Sequence, residues 1–148
     1  MSIGLLLADD SDVARHAIKR LLEEEPNIQL VAEATSFADV VRMAAELKPD
    51  VVSIDLHMRD EREFGPASTK SRLLGCAKRI LAMSVWVDGE STALATDYGA
   101  AKLLDKSRLA SELIPAISSG FLATTLCPDS GRIVRNYYLR ASAKFRST

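Results

Sequence analysis

The chain has 148 residues, 47% hydrophobic and 26% charged, which is the balance of one soluble globular domain. Its net charge of −1 gives no electrostatic reason for the whole chain to bind nucleic acid or a membrane surface. No apolar run approaches the roughly 20 residues that cross a bilayer, and the N-terminus does not resemble a secretory signal. We therefore expect a cytoplasmic protein. Cys76 and Cys127 fit no metal-ligand spacing and predict reduced thiols.

Short apolar runs alternate along the chain with segments of helical periodicity. In chain order, strands are predicted over 3–8, 28–34, 51–55, 79–84 and 102–104. Helices are predicted over 12–24, 37–48, 67–74, 90–98 and 109–117, with Ser11 and Ser36 capping the first two. This alternation predicts an α/β fold with a doubly wound, five-stranded parallel sheet between two layers of helices.

Reactive side chains follow four of the five predicted strands. Asp9 and Asp10 follow the first strand, and Asp55 ends the third. Ser84 ends the fourth strand, and Lys106 comes shortly after the fifth. Because the carboxyl ends of parallel strands lie along one edge of the sheet, we expect these five groups to share a pocket there.

The chemistry of this set favours a metal site. Three carboxylates that lie close together repel each other unless a cation is present, and Mg²⁺ prefers oxygen ligands. An ammonium, a hydroxyl and Mg²⁺ would together neutralise a phosphoryl group carried on a carboxylate. Taken singly, Asp10 could be a helix cap and Asp55 a turn residue, so the prediction depends on the whole set.

Three segments of the chain resemble the receiver domains of two-component response regulators: LLLADDSDVARHAIKRLL, KPDVVSIDLHM and GAAKLLDKSRLASELIPAI. The resemblance covers roughly residues 3–119 and implies a flavodoxin-like (βα)5 three-layer sandwich. The LDKS segment is similar to receivers that precede a helix-turn-helix output domain. The resemblance implies that the domain takes part in signalling and turns over no outside substrate, apart from its own phosphorylation and dephosphorylation.

The resemblance also implies which residues bind the phosphoryl group and the metal. Asp55 would accept the phosphoryl group from a sensor histidine kinase. Asp9, Asp10, the Asp55 carboxylate and the backbone carbonyl of His57 would hold Mg²⁺, so that the His57 side chain would not be a ligand.

The remaining two residues are implied to pair with the phosphoryl group and to transmit its arrival. Lys106 would form an ion pair with it, and Ser84 would move to donate a hydrogen bond. This movement would shift the face made by helix four, strand five and helix five, through which a homodimer could form.

The chain departs from the family pattern at two positions. Arg59 stands where receivers usually have a proline, and Leu103 stands where they usually have an aromatic residue that reports the switch. These departures leave open an alternative, a pseudo-receiver that works as a phosphorylation-independent interaction or dimerisation module. An aspartate-nucleophile phosphohydrolase fits less well, because the chain has no room for a cap domain.

We expect two parts in the chain, a receiver over 1–120 and a basic extension or linker over 121–148. The second part has five basic residues and one acidic residue, a net charge of +4. It could be an arm that contacts nucleic acid or an acidic partner, a solvated helix, a frayed terminus, or the start of a linker to an output domain absent from this chain. We do not expect the receiver itself to bind nucleic acid.

Overall fold

The computed structural model describes residues 2–124, and the predictions for 125–148, including Cys127, lie outside this range. Five strands alternate with five helices along the described chain. Their bounds are β1 Ile3–Ala8, α1 Asp12–Leu22, β2 Ile28–Ala34, α2 Phe37–Leu47, β3 Val51–Asp55, α3 Pro66–Leu73, β4 Arg79–Ser84, α4 Gly89–Asp97, β5 Lys102–Asp105 and α5 Leu109–Thr124. A 3-10 turn over Lys106–Arg108 joins β5 to α5.

The strands form one sheet in the order β2-β1-β3-β4-β5, and every neighbouring pair is parallel. The predicted doubly wound α/β fold is therefore confirmed. The strand order reverses between β1 and β3, so the crevice beyond the carboxyl ends of these two strands is the place where such folds bind ligands. Strand β3 is buried along its whole length, as its apolar sequence predicts.

Two hydrophobic cores cover the two faces of the sheet. One lies under α2, α3 and α4 and includes the rings of Phe37 and Tyr98, which stack with centroids 5.2 Å apart. The other lies under α1 and α5 and includes Ile18 and Leu113. Both cores leave the carboxyl edge of the sheet free for polar side chains. None of the helices in the described part of the chain has the length and apolar character needed to span a bilayer.

Side-chain caps explain where three of the helices begin. Ser11 Oγ accepts a hydrogen bond from Ala14 N, and Ser36 Oγ accepts one from Asp39 N, as predicted. Helix α4 starts at Gly89, one residue before the predicted position, because the Asp88 carboxylate accepts a hydrogen bond from Ser91 N at 2.8 Å.

The first four helices end within two residues of their predicted ends, whereas α5 runs to Thr124, seven residues past the predicted end at 117. Helix α1 ends at Leu22 instead of the predicted Glu24, because a turn intervenes before β2. After α4 the backbone turns at Gly99 with a φ of +80°, a conformation that favours glycine. Strand β5 runs one residue past its predicted end, to Asp105, which pairs with Ser84 of β4.

Candidate functional site

Three carboxylates meet at the carboxyl edge of the sheet, where β1 and β3 lie side by side. Oxygen atoms of Asp9, Asp10 and Asp55 all lie within 4.8 Å of one another. Asp9 is fully buried, Asp55 is 6% exposed, and Asp10 is partly exposed. The parallel topology thus brings together the three acids that the sequence analysis selected.

Lys106 lies over two of these carboxylates. Its Nζ is 2.7 Å from Asp9 Oδ2 and 3.3 Å from Asp55 Oδ2, and its side chain is 18% exposed. The lysine begins the 3-10 turn after β5, which the Asp105 carboxylate caps through a hydrogen bond from Ser107 N at 2.9 Å. The long lysine side chain reaches from β5 past β4 to the acids.

The electrostatics of the site reflect two buried acids that share one ammonium. Burial raises the pKa of Asp55, the ammonium of Lys106 counteracts this, and the neighbouring charge of Asp9 adds to the increase. Burial alone would lower the pKa of Lys106, but its contacts with Asp9 and Asp55 outweigh burial and raise this pKa above its ordinary value. The lysine therefore keeps its charge and remains the ion-pair partner of both buried carboxylates.

The residues present fit a hard divalent cation. Three carboxylates face a single ammonium, and Asp9 Oδ2, although in ion-pair contact with Lys106, lacks a hydrogen bond of good geometry in its buried position. A separation within 4.8 Å is comparable with the roughly 4 Å between opposite ligands of an octahedral Mg²⁺ ion. Carboxylate oxygens are also the ligands that Mg²⁺ prefers.

The turn that carries Asp9 is held by several hydrogen bonds. Asp9 N donates to Ala34 O of β2 at 3.0 Å, and Asp9 Oδ1 accepts from Ser11 N at 2.9 Å. Arg15 Nη1 donates to the Asp9 carbonyl at 2.6 Å. On the other strand, Asp55 Oδ1 accepts a hydrogen bond from His57 N at 3.3 Å. The two carboxylates that contact Lys106 are therefore held in place by their own backbone surroundings.

Ser84 and His57 border the site on the side of β4. Ser84 is fully buried at the end of β4, and its Oγ accepts a hydrogen bond from Trp86 N at 3.1 Å. The His57 imidazole pairs with Glu61 at 3.1 Å and meets the Trp86 ring edge-on at 6.1 Å. A cleft of about 360 Å³ opens here, lined by His57, Trp86, Asp88, Glu90, Ser91 and Leu94.

Trp86, which borders this cleft, was not predicted from the sequence as a site residue. The indole is 62% exposed, and its neighbours Val85 and Val87 are exposed as well. Three consecutive large apolar residues between a strand and a helix, where polar loop residues are usual, were the available signal.

The loop between β3 and α3 is anchored to the start of α2. The Asp60 carboxylate accepts hydrogen bonds from Phe37 N at 2.9 Å and from Ala38 N at 3.0 Å. These are two of the N–H groups that the first turn of a helix leaves unpaired. Arg59, at the usual proline position, is largely exposed, and its Nε lies 4.0 Å from Asp10 Oδ2.

Position 103, where receivers usually have an aromatic residue, is a leucine, but an aromatic residue from the end of α4 contacts the same core. Leu103 of β5 packs against the core that contains Tyr98, and Tyr98 is 2% exposed at the end of α4. Burial, together with the charges of Glu61 and Asp60, raises the pKa of the Tyr98 hydroxyl to about 12. This aromatic residue therefore contacts the same core as Leu103 and stays neutral.

Fold and site together define a flavodoxin-like, doubly wound domain with an acidic, lysine-paired site at its topological switch point. The protein-family profile described as "Response regulator receiver domain" matches residues 5–118. The chain belongs to this family, as the sequence resemblance predicts.

Sequence relatives agree with this assignment. The chain is 34% identical over 117 residues to the transcriptional regulatory protein LiaR of Bacillus subtilis, over 78% of this chain and 54% of that protein. It is also 46% identical over 56 residues to a protein-glutamate methylesterase/protein-glutamine glutaminase of Syntrophomonas wolfei, over 38% of this chain and 16% of that protein. The chain thus spans about half the length of LiaR and much less of the methylesterase.

Solved structures have the same fold. A LuxR-family two-component response regulator from an Aurantimonas species matches with a TM-score of 0.71 at 27% identity, over 94% of this chain and 99% of that chain. The receiver domain of NarL from Mycobacterium tuberculosis matches with a TM-score of 0.70 at 21% identity, over 80% of this chain and 95% of that chain. At that lower identity the likeness supports the fold alone.

Proposed function

We propose that this receiver accepts a phosphoryl group on Asp55 from a phosphohistidine of a sensor kinase, in a Mg²⁺-dependent reaction. The observation that carries the proposal is the Asp55 carboxylate at the end of β3, paired with Lys106 at 3.3 Å and flanked by two further carboxylates. A carboxylate in this setting is suited to carry added negative charge, because the Lys106 ammonium lies beside it and the three carboxylates together offer oxygen ligands for a divalent cation.

The transfer makes one bond and breaks one bond. An Asp55 oxygen attacks phosphorus, the O–P bond forms, and the P–N bond to the donor imidazole breaks. The Lys106 ammonium, 3.3 Å from Asp55 Oδ2, pairs with the phosphoryl oxygens. The Ser84 hydroxyl gives up its contact with Trp86 N and donates to a phosphoryl oxygen. Water later hydrolyses the acyl phosphate, which releases inorganic phosphate and returns the Asp55 carboxylate.

Mg²⁺ would be held by Asp9, Asp10, the Asp55 carboxylate and the backbone carbonyl of His57. When bound, it supplies positive charge beside the transferring phosphoryl oxygens. This assignment is supported by the proximity of the three carboxylates and by their excess of negative charge over the single lysine. The His57 side chain pairs with Glu61 and has no part in the proposed ligand set.

The output would be a change in protein–protein contacts. The Ser84 movement would alter the β4–α4 loop and hence the face of α4, β5 and α5, through which two copies could form a homodimer. Because the chain spans about half of LiaR, we propose that it is the receiver part, 1–120, of a transcriptional regulator whose output domain follows 121–148. We place this regulator in the cytoplasm, with no membrane contact, and the receiver itself would not touch nucleic acid or turn over another substrate.

Intact mass measurement after incubation with a small phosphodonor and excess Mg²⁺ tests the proposal. We expect an adduct of one phosphoryl group on the wild type, and none on Asp55→Asn or in the presence of EDTA. Absence of an adduct with every donor tried would refute phosphorylation and favour the pseudo-receiver. If the adduct forms, comparing oligomeric state with and without it tests the homodimer, and an unchanged state would leave a different partner as the output.

A further inference from the structure

Arg15 of α1 lies behind the acidic site and contacts three oxygen atoms. Its Nη1 donates to the Asp9 carbonyl at 2.6 Å, its Nε donates to Glu33 Oε1 of β2 at 3.2 Å, and its Nη2 contacts the Asp12 carboxylate. The Arg15 side chain is only 13% exposed. Because the guanidinium is nearly buried and each of its three nitrogens contacts an oxygen, the Arg15 side chain has little freedom to move.

The contact with the Asp9 carbonyl matters because of where that carbonyl lies. It belongs to the peptide group that joins Asp9 to Asp10, the two adjacent acids of the site. A peptide group is planar, so a hydrogen bond that fixes its oxygen also fixes the direction in which the chain enters Asp10. The amide on the other side of Asp9 is held by Ala34 O. Arg15 therefore completes the restraint on the turn that presents both carboxylates.

We propose that Arg15 is a positioning residue for the divalent-cation site. It aligns the carboxylates of Asp9 and Asp10 with Asp55 without touching the cation itself. The inference rests on the proposed function, since it takes the acidic edge of the sheet to be a Mg²⁺ site. Groups that orient ligands from behind typically change metal affinity by about tenfold or more when they are removed.

Charge and positioning predict opposite effects of removing Arg15. A guanidinium near a cation site repels the cation, so its removal by charge alone would tighten Mg²⁺ binding. If the arginine aligns the ligands, its removal weakens binding instead. The sign of the change in affinity therefore separates the two explanations, and it does not depend on kinase or phosphorylation activity.

Lys19 offers a matched control. Its Nζ pairs with Glu33 Oε2 at 3.1 Å, so it shares the carboxylate that Arg15 contacts. The Asp9 carbonyl is bound by Arg15. Lys19→Gln thus removes a positive charge and a tie between α1 and β2 while leaving the Asp9 contact intact. Arg15→Lys is the conservative variant, because it keeps the charge but loses the fork that contacts several oxygens at once.

The experiment is a calorimetric titration of each full-length variant with Mg²⁺ alone, together with a thermal melt. We expect Arg15→Gln to raise the dissociation constant about tenfold, Arg15→Lys to raise it less, and Lys19→Gln to leave it near the wild-type value. If Arg15→Gln does not fold, the Mg²⁺ dissociation constants of Arg15→Lys and Lys19→Gln are compared instead, and weaker binding by Arg15→Lys alone supports the inference. Unchanged or tighter binding by the Arg15 variants, or equal weakening by Lys19→Gln, would overturn the inference.

The wild-type titration keeps this test distinct from the proposed function. Saturable Mg²⁺ binding by the wild type, combined with unaffected Arg15 variants, overturns the role of Arg15 alone. A wild type that binds no Mg²⁺ overturns the metal site itself, and the inference with it.

Discussion

Lys106 and Asp55 form an ion pair across the edge of the sheet, with Nζ 3.3 Å from Oδ2, although their strands are separated by β4. The same ammonium lies 2.7 Å from Asp9 Oδ2. One cation therefore serves two buried carboxylates, and this shared pairing governs both the stability of the metal-free protein and its response to Mg²⁺.

Replacing Lys106 with methionine should destabilise the metal-free protein by about 3 kcal/mol, because it leaves two buried carboxylates without their partner. Excess Mg²⁺ should recover much of this loss, since the cation can neutralise the same oxygens. The Mg²⁺ dissociation constant should fall, because the ammonium no longer competes. Urea unfolding at neutral pH, with EDTA and with a series of Mg²⁺ concentrations, measures the loss of stability, its recovery and the dissociation constant.

Lys102→Met is the matched control for this change, because Lys102 lies exposed at the start of β5. It should change stability by no more than about 0.5 kcal/mol. Equal losses in the two variants, or a loss that Mg²⁺ does not reduce, would contradict the shared pairing.

The same ion pair predicts a stability change at alkaline pH. The pKa of Lys106 is raised in the folded protein, so the stability that its charge contributes is full below its ordinary value of 10.5. This stability is lost as the pH rises through the raised pKa that Lys106 has in the folded protein. The difference in unfolding free energy between the wild type and Lys106→Met should therefore persist to that pH and close above it. Urea unfolding midpoints of the two proteins, measured from neutral pH to above the raised pKa of Lys106, test this prediction. A difference that closed already at neutral pH would refute the pairing.

Asp55→Asn should stabilise the protein in EDTA at neutral pH. Burial, opposed by Lys106 but reinforced by the charge of Asp9, holds the pKa of Asp55 above its ordinary value of 3.8, so the ionised form is disfavoured in the folded state. This penalty is full above the raised pKa and disappears as the pH falls through it toward 3.8. The asparagine variant carries no such penalty, and Mg²⁺ should stabilise it less than the wild type.

Glu63→Gln removes an exposed acid from the nearby loop and serves as the control for the asparagine variant. Thermal melts over a range of pH measure the comparison. A wild type that is more stable than Asp55→Asn in EDTA at neutral pH would show that Lys106 outweighs burial.

The sequence predicted the parts of the site that depend on strand ends. The apolar runs of β1 and β3 locate the ends of two strands, and parallel pairing then brings the Asp9 and Asp55 side chains together without further information. The contact of Lys106 follows from the same topology, since a lysine side chain can reach over one intervening strand. Strands β1 and β3 were predictable because both are short, mainly apolar runs bounded by polar or turn residues.

The contacts that hold the site in place were not predictable from local pattern. The Arg15 contact with the Asp9 carbonyl depends on which face of α1 packs toward β2. From sequence alone, an arginine in a helix is usually interpreted as a solvated surface residue. The Asp60 bonds to α2 join positions 22 and 23 residues apart. A charged loop that departs from the family pattern gives no sign that one of its acids caps a distant helix.

Asp60→Ala should therefore destabilise the protein by about 1–2 kcal/mol, the usual cost of losing a helix N-terminal acceptor. The N–H groups of Phe37 and Ala38 lose their partner, so amide hydrogen exchange should speed up in the first turn of α2 and in the loop after β3. Asp60→Asn keeps one acceptor oxygen and should lose less. Glu63→Ala, an exposed change in the same loop, should leave exchange in α2 unaltered. Exchange that increases only at the loop, with α2 unchanged, would mean that Asp60 does not anchor the two elements to each other.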